Sequence, residues 1–150
     1  MIVYAICMAP WLYTTYFQPS DIPFPPVDRG QYIEGWPAGW GAREIMDIAR
    51  EKSQQRPVVL VVEGTFGMTA DVLDTFVKPG DQIEIKGYWP LDEKNLIENQ
   101  STLSDKHVYV VFAHRREFPS EWPIRLIKKY DKPGDESEIT LFELLPSSTQ

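Results

Sequence analysis

Short apolar runs, separated by turn residues, divide the middle of the chain into alternating strands and helices. The run Val58 to Val62 is continuously apolar, which is typical of a strand buried on both faces of a sheet. Just before it, Ile45, Ile48 and Ala49 recur at helical spacing and predict a helix over residues 42–55. This segment therefore predicts a helix that leads into a central strand.

The same criteria predict further elements after this strand. They are a helix over residues 70–77 that Thr69 caps, a strand over 82–88 and a weaker helix over 92–103. A second apolar strand over 108–113 and an antiparallel hairpin over 124–144 follow. The Asp-Lys-Pro-Gly-Asp sequence at 131–135 is the expected turn of the hairpin. Because strands and helices alternate, we expect an α/β fold: a mainly parallel sheet of about five strands with helices on its faces and a C-terminal antiparallel hairpin.

The first 18 residues differ from the rest because they carry no charged side chain. A helix needs about 20 apolar residues to span a bilayer, so this run is slightly short. We expect residues 1–18 to be the end of a transmembrane helix; the alternative is a buried core helix that Pro10 kinks. The membrane interpretation is favoured because aromatic side chains cluster at one end of the run, as they do at membrane interfaces: Trp11, Tyr13, Tyr16 and Phe17.

A proline-rich segment over residues 19–27 follows the apolar run. Four prolines in this stretch exclude a central strand and predict a stiff, extended connector. The expected organisation is therefore this connector, a soluble α/β domain over residues 28–146 and a disordered tail over residues 147–150.

Composition excludes several classes of function. The net charge of -7 and the pI of about 4.8 argue against a nucleic-acid-binding protein. The basic stretches 114–116 and 128–129 are short and lie beside acids, so we expect them to be solvated surface. The single cysteine, Cys7, permits neither an intrachain disulfide nor a thiolate cluster. His107 and His114 begin and end a predicted strand and are expected to be exposed, and no spacing of carboxylates with them supports a zinc site. We expect no metal and no cofactor.

The first candidate site follows the central strand, because ligands bind at the carboxyl ends of the strands in open parallel sheets. Glu63, Gly64, Thr65 and Gly67 form a loop there and precede a helix, whose start favours anions. The loop lacks the glycine pattern of a dinucleotide site and the lysine of a P-loop. The alternative is a tight turn that needs glycine for its backbone conformation.

The second candidate site is the segment 28–41, which we expect to be a loop with a binding surface. Its candidate ligand-binding residues are those that stack on a sugar ring or bind sugar hydroxyl groups: Asp28, Arg29, Gln31, Tyr32, Glu34, Trp36 and Trp40. The alternative for the two tryptophans is to fill the seam between the connector and the core.

Catalytic groupings are sparse in the sequence. A Ser-His-Asp arrangement with an elbow motif is absent. Asp28 and Glu34 are candidates for a carboxylate pair, but Arg29 beside them also predicts a structural ion pair. We therefore predict no catalytic residue from these patterns.

Several motifs carry a family resemblance. The sequence Val-Asp-Arg-Gly-Gln-Tyr at 27–32 precedes Gly-Trp-Pro-Ala-Gly-Trp-Gly at 35–41, and a helix follows. Further on, Gly-Tyr-Trp-Pro occurs at 87–90, and Trp-Pro-Ile at 122–124 leads to Lys-Lys-Tyr. In these segments the chain resembles the C-terminal soluble tail of bacterial dolichyl-phosphate-mannose-protein mannosyltransferase-like proteins, membrane enzymes of glycosyltransferase family 39. The resemblance covers nearly the whole chain, and the apolar start matches the final transmembrane segment of that family.

The resemblance implies an extracytoplasmic accessory domain of a polyprenyl-phosphate-sugar-dependent membrane glycosyltransferase (a hexosyltransferase). The catalytic acid of that family lies near the amino end of the full protein, so no catalytic residue is carried over and the chain alone is expected to be inactive. The implied partners are the membrane part of the same enzyme, the lipid bilayer through residues 1–18, and a polyprenyl-phosphate sugar or glycan acceptor. The implied location is the cell membrane, with the soluble domain outside the cytoplasm.

Two other classes of function remain open. One is a stand-alone soluble α/β module that uses the Glu63 loop to bind a small sugar or anionic ligand, in which case the apolar start packs into the core. The other is a structural or protein-interaction domain whose tryptophans form a contact surface: Trp36, Trp40, Trp89 and Trp122.

Overall fold

The computed structural model describes residues 2–134 and 137–146. Helices and strands alternate in the middle of the chain and two strands follow at the end. In chain order the elements are α1 Ile2–Phe17, α2 Pro26–Arg29, α3 Ala42–Ser53, β1 Val58–Glu63, α4 Thr69–Asp74, β2 Ile83–Tyr88, α5 Glu93–Gln100, β3 His107–Phe112, β4 Ile124–Asp131 and β5 Glu138–Leu144.

The five strands form one sheet in the order β2-β1-β3-β5-β4. Strand β1 pairs in parallel with β2 and β3, whereas β5 is antiparallel to both β3 and β4. The predicted α/β fold and C-terminal hairpin are confirmed, but the sheet is mixed rather than mainly parallel. The reason lies in the hairpin: apolar β5 is almost entirely buried beside β3, while the Lys- and Arg-rich β4 stays at the edge.

The helices cover both faces of the sheet. Side chains of α3 and α4 pack on one face with Leu60 and Val62 of β1, and Leu96 of α5 packs on the opposite face with Val59 and Val61. The connection from β1 to β2 therefore crosses one face of the sheet. The connection from β2 to β3 crosses the opposite face and passes β1. This reversal creates a crevice between the carboxyl ends of β1 and β3, which is where ligands bind in open α/β sheets.

Helix α1 lies outside both hydrophobic clusters. Its described side chains are exposed, apart from half-buried Thr14, and its main aromatic contact with the rest of the chain is an edge contact of Trp11 with Phe24, at 6.0 Å between ring centroids. The alternative that this run is a core helix is therefore wrong. Among the described residues, no helix has both the length and the apolar character needed to cross a membrane.

The connector and the start of segment 28–41 contain more helix than predicted. Pro19 begins a 3-10 turn and Pro26 begins α2, since proline fits the first helical position, where its missing N–H costs nothing. A π-helical turn, Gly30–Glu34, continues α2. Gly35 closes this turn by donating its N–H to the Gly30 carbonyl at 2.8 Å, and a Cβ at Gly35 would lie 2.0 Å from that oxygen.

The cap predicted for α4 is wrong, and α5 has a cap that the sequence analysis does not predict. Helix α4 begins at Thr69 itself, with Met68 at the cap position and no side-chain cap. Helix α5 has a reciprocal cap, because the Asp92 carboxylate accepts from the Asn95 N–H and the Asn95 side chain accepts from the Asp92 N–H, both at 3.1 Å. The predicted tail 147–150 lies outside the described residues.

Candidate ligand-binding cleft

A cleft of about 330 Å³ opens where β3 ends and β5 begins. We call it the switch-point cleft, because it lies beside the crevice at the carboxyl ends of β1 and β3, to which Arg115 links it through an ion pair with Glu63. Its walls come from the turn after Glu34, from the residues directly after β3 and from the start of β5: Gly35, Trp36, Ala113, His114, Arg115, Arg116, Ser137 and Glu138.

An ion pair joins the ends of the two central strands. Glu63, the last residue of β1, is 2% exposed, and its Oε1 accepts from Nε of Arg115 at 2.8 Å and also from Nη2. The Nη2 atom donates in addition to the Leu91 carbonyl at 3.1 Å. The guanidinium of Arg115, which is a lining residue of the cleft, is therefore held by a buried carboxylate and a carbonyl.

Two aromatic rings fix the other side of this guanidinium. The Cζ of Arg115 lies 5.2 Å from the centre of the Phe112 ring and 5.3 Å from that of Trp122, in cation–π geometry. Trp122 is itself half-buried against Phe112, at 5.9 Å between ring centroids. Trp122 thus supports Arg115 and the core, rather than forming part of an exposed contact surface.

Three rings, those of Trp36, His114 and Trp89, form an aromatic row; Trp36 and His114 line the cleft, and Trp89 contacts His114 without lining it. The His114 ring lies 4.3 Å from the Trp36 ring and 4.9 Å from the Trp89 ring. Both tryptophans keep large exposed surfaces, 42% for Trp36 and 55% for Trp89. The row is therefore an apolar platform that remains accessible from solvent.

His114 is half-buried in this row, which corrects the prediction of an exposed histidine at a strand end. Desolvation lowers its pKa from the ordinary 6.5, and the charges of Lys132 and Arg115 lower it further, while the Glu63 carboxylate opposes them. The shift therefore favours the neutral imidazole at pH 7. Among the described residues, neither its Nε2 nor Oε2 of Glu63, both buried, has a hydrogen-bond partner.

A buried lysine positions the loop that carries Trp36. Lys132, in the β4–β5 turn, is 2% exposed, and its Nζ donates to the carbonyls of Gly35 at 3.2 Å and Trp36 at 2.7 Å. Burial lowers its pKa from 10.5 to about 8. The turn of the hairpin thus holds the Trp36 backbone near the end of β3.

The Glu63 loop, the first candidate site, does not line the cleft, and Glu63 is connected to it only through the ion pair with Arg115. Gly64 and Gly67 both have positive φ, of 124° and 74°, as the tight-turn alternative expects. The Gly67 N–H donates to the Asp71 carboxylate at 2.6 Å, so a side chain of this chain already occupies that donor. Thr65 is exposed, and its carbonyl accepts from the Met68 N–H at 3.0 Å.

The charged residues of the second candidate site are arranged around an internal ion pair. Nε of Arg29 pairs with Oε1 of Glu34, so these two form the predicted structural ion pair. The Glu34 carbonyl also accepts from the Ser137 hydroxyl at 2.5 Å, which links this turn to the start of β5. Asp28 is half-buried in α2.

The other members of that segment are not in the switch-point cleft. Gln31 is exposed in the π-helical turn. Tyr32 is also exposed, with its ring 5.9 Å from that of Phe24. Trp40 is half-buried and does not line the cleft. Of the two tryptophans proposed as a pair, only Trp36 lines the cleft.

Sequence patterns missed His114, Arg115, Trp89 and Lys132. The stretch 114–116 was expected to be solvated surface, which is wrong for Arg115, because that side chain pairs with Glu63. A usable signal was present, since His114 and Arg115 directly follow a strand parallel to β1 and must end at the same edge of the sheet. Nothing local in the sequence indicates the burial of Lys132.

The described residues contain no group of three or more His, Cys, Asp or Glu side chains close enough to hold a metal ion. Comparison of the chain with protein-family models, with curated proteins and with solved structures finds no match. The function is therefore inferred from helix α1, the switch-point cleft and the family resemblance of the sequence.

Proposed function

We propose that this chain is the extracytoplasmic accessory domain of a polyprenyl-phosphate-sugar-dependent membrane glycosyltransferase, and that α1 lies at the bilayer. The domain is not catalytic alone, and it assists binding of the sugar donor or the glycan acceptor. Its partners are the membrane part of the same enzyme and the lipid that surrounds α1.

The exposed, uncharged surface of α1 carries this proposal. Ile6, Leu12, Tyr16 and Phe17 are between 55% and 77% exposed on a helix that has no charged residue. Apolar surface of this size on one element needs an apolar partner. Sixteen residues extend about 24 Å, less than the roughly 30 Å of a bilayer core, so α1 is proposed to form the interfacial end of a membrane helix rather than a complete span.

The position of the aromatic residues agrees with this arrangement. Trp11, Tyr13 and Tyr16 lie in the second half of α1, close to the connector and the folded domain. Aromatic side chains favour the depth of the lipid headgroups. The connector then places the α/β domain at the membrane surface.

Vesicle flotation tests the proposal. The full chain is mixed with phosphatidylcholine vesicles and centrifuged through a density gradient, and it should float with them. The double variant Leu12→Lys/Tyr16→Lys should remain at the bottom, because each charge carries a cost of about 2–3 kcal/mol in the membrane. The matched control, Phe66→Lys/Ile97→Lys, places the same charges at exposed apolar positions of the folded domain and should float.

Loss of flotation in the control, or flotation of the α1 variant, would contradict the membrane role of α1. Sidedness is tested separately in spheroplasts with a membrane-impermeant thiol reagent. A cysteine placed at Phe66, which is 95% exposed, in a Cys7→Ser background should react from outside. Reaction only after lysis would place the domain in the cytoplasm and defeat the proposal.

The switch-point cleft specifically favours a second function, that of a stand-alone α/β module which binds a small sugar or anionic ligand. Under that alternative α1 has no membrane role, so the full chain stays at the bottom of the gradient. The exposure of α1 argues against the version of this alternative in which the apolar start packs into the core.

A further inference from the structure

The aromatic row contains two partly exposed tryptophans, both of which contact His114. Trp36 and Trp89 come from segments that lie 53 residues apart in the sequence, yet both contact His114 and both remain about half exposed. Half-exposed indole faces beside a cleft are suited to the apolar C–H face of a pyranose ring, because such a face is flat and buries well against an aromatic ring. The site is therefore shaped for stacking.

The cations of the cleft are already compensated. Arg115 pairs with buried Glu63, and Arg116 lies 3.9 Å from the carboxylate of Glu138. Glu138 in turn accepts from Lys129 at 2.6 Å. A phosphate group would require uncompensated positive charge, whereas guanidinium groups held by carboxylates are suited to hydroxyl groups, which form hydrogen bonds without adding charge.

Two buried side-chain atoms, one of them in the aromatic row, lack partners among the described residues. They are Oε2 of Glu63, which only accepts hydrogen bonds, and Nε2 of His114, which donates or accepts according to its tautomer. Buried polar atoms of this kind are uncommon in folded proteins and call for a partner. Because both atoms are buried, the partner they call for is a buried water rather than a ligand group in the cleft, and the sugar assignment rests on the aromatic row and the charge balance.

We infer that the switch-point cleft binds an uncharged pyranose, with the sugar stacked on the Trp36–His114–Trp89 row and its hydroxyl groups facing Arg115. This inference rests on the proposed function in assigning the site to a sugar, and it deepens that function by favouring the neutral glycan over the phosphate of a lipid-linked donor. The ligand residues assigned here, His114, Arg115 and Trp89, lie outside both candidate loops.

Saturation-transfer NMR with simple glycosides tests the inference. The full chain is held in a zwitterionic detergent that contains no sugar, and methyl pyranosides of mannose, glucose, galactose and N-acetylglucosamine are offered in turn. At least one should receive saturation from the protein. Trp36→Ala and Trp89→Ala should each weaken that binding at least about fivefold, because a stacking face is lost.

Trp40→Ala is the matched control, because it removes a tryptophan that does not line the cleft, and it should bind the glycoside like the unaltered chain. Thermal unfolding of every variant checks that the fold is retained. The inference is overturned if no glycoside binds, if the Trp40 variant loses binding together with the other two, or if inorganic phosphate competes with the glycoside.

The membrane role of α1 and sugar binding in the cleft can be contradicted independently of each other. The Trp36 and Trp89 variants should float with vesicles like the unaltered chain, because α1 is intact. Glycoside binding without flotation would leave the cleft assignment standing and remove the membrane role. Flotation without glycoside binding would do the reverse.

Discussion

Glu63 and Arg115 form an ion pair that joins the carboxyl ends of the adjacent parallel strands β1 and β3. The carboxylate is almost fully buried, and the guanidinium lies between it and the rings of Phe112 and Trp122. Arg115 also lines the switch-point cleft, together with Trp36 and His114 of the aromatic row. Burial and neighbouring charges set the stability and the pKa values of the groups around this pair.

Removing the arginine should be far more costly than removing a surface arginine. Arg115→Met leaves a buried carboxylate without its counter-ion and should lower the free energy of unfolding by about 3 kcal/mol. Arg125→Met, which breaks an exposed pair with Glu143, should cost less than about 1 kcal/mol. Urea denaturation of both variants makes the comparison. Equal costs would mean that Glu63 is solvated when its partner is absent.

Lys132 should make the protein more stable as the pH rises from about 8 to 10.5. The folded state releases the Lys132 proton near pH 8, whereas the unfolded chain holds it up to about 10.5, so the unfolded state binds more protons in this window. The free energy of unfolding should therefore rise across the window, by up to roughly 3 kcal/mol from this group. Below pH 8 both states are protonated and this contribution does not change.

Lys132→Met isolates that contribution, because methionine has a similar length and does not titrate. The difference in unfolding free energy between the unaltered chain and this variant should depend on pH only between about 8 and 10.5. The variant should also change the fluorescence of Trp36, whose carbonyl accepts from Lys132. A difference that is constant with pH would show that Lys132 titrates normally.

Two substitutions should move the pKa of His114 in opposite directions. Trp36→Ala exposes the imidazole to water, which removes the largest cause of its low pKa and should raise the pKa towards 6.5. Glu63→Gln removes the charge that opposes the shift and should lower the pKa further. The Hε1 proton of His114 reports both changes in an NMR titration, with His107 as an internal reference.

The sign of this linkage can be checked in the unaltered protein. Because the folded pKa of His114 lies below that of the unfolded chain, the unfolded state takes up the proton first as the pH falls. Stability from this group is therefore present above about pH 6.5 and is lost in more acidic solution. A titration midpoint of 6.5 or above would contradict the desolvated position of the ring.

The two glycines of the loop after β1 should differ in their tolerance of alanine. Gly67 has a positive φ, and its Cβ position is open, so Gly67→Ala should cost only about 1 kcal/mol. Gly64 also has a positive φ, but a Cβ there would lie 2.7 Å from the Cβ of Met68, so Gly64→Ala should cost clearly more. Thermal unfolding of both variants decides the order. A greater cost at Gly67 would contradict the close approach of Met68 to Gly64.

Local sequence patterns determined the elements of this protein. The continuous apolar run of β1 indicated a strand buried on both faces, and the helical spacing of Ile45 and Ala49 indicated α3. The Pro-Gly turn between β4 and β5 indicated the hairpin. These elements can be predicted from the sequence because periodicity and turn chemistry depend on neighbours within a few residues.

Only the tertiary structure decided how these elements combine into a site. The placement of β5 beside β3 made the sheet mixed, and the packing of Trp36 against His114 turned a strand-end histidine into a desolvated one. Glu63 and Arg115 are 52 residues apart in sequence, and Lys132 and Trp36 are 96 apart. Such pairs depend on which surfaces bury each other across the sheet, and that choice is made by the packing of the whole chain rather than by any local pattern.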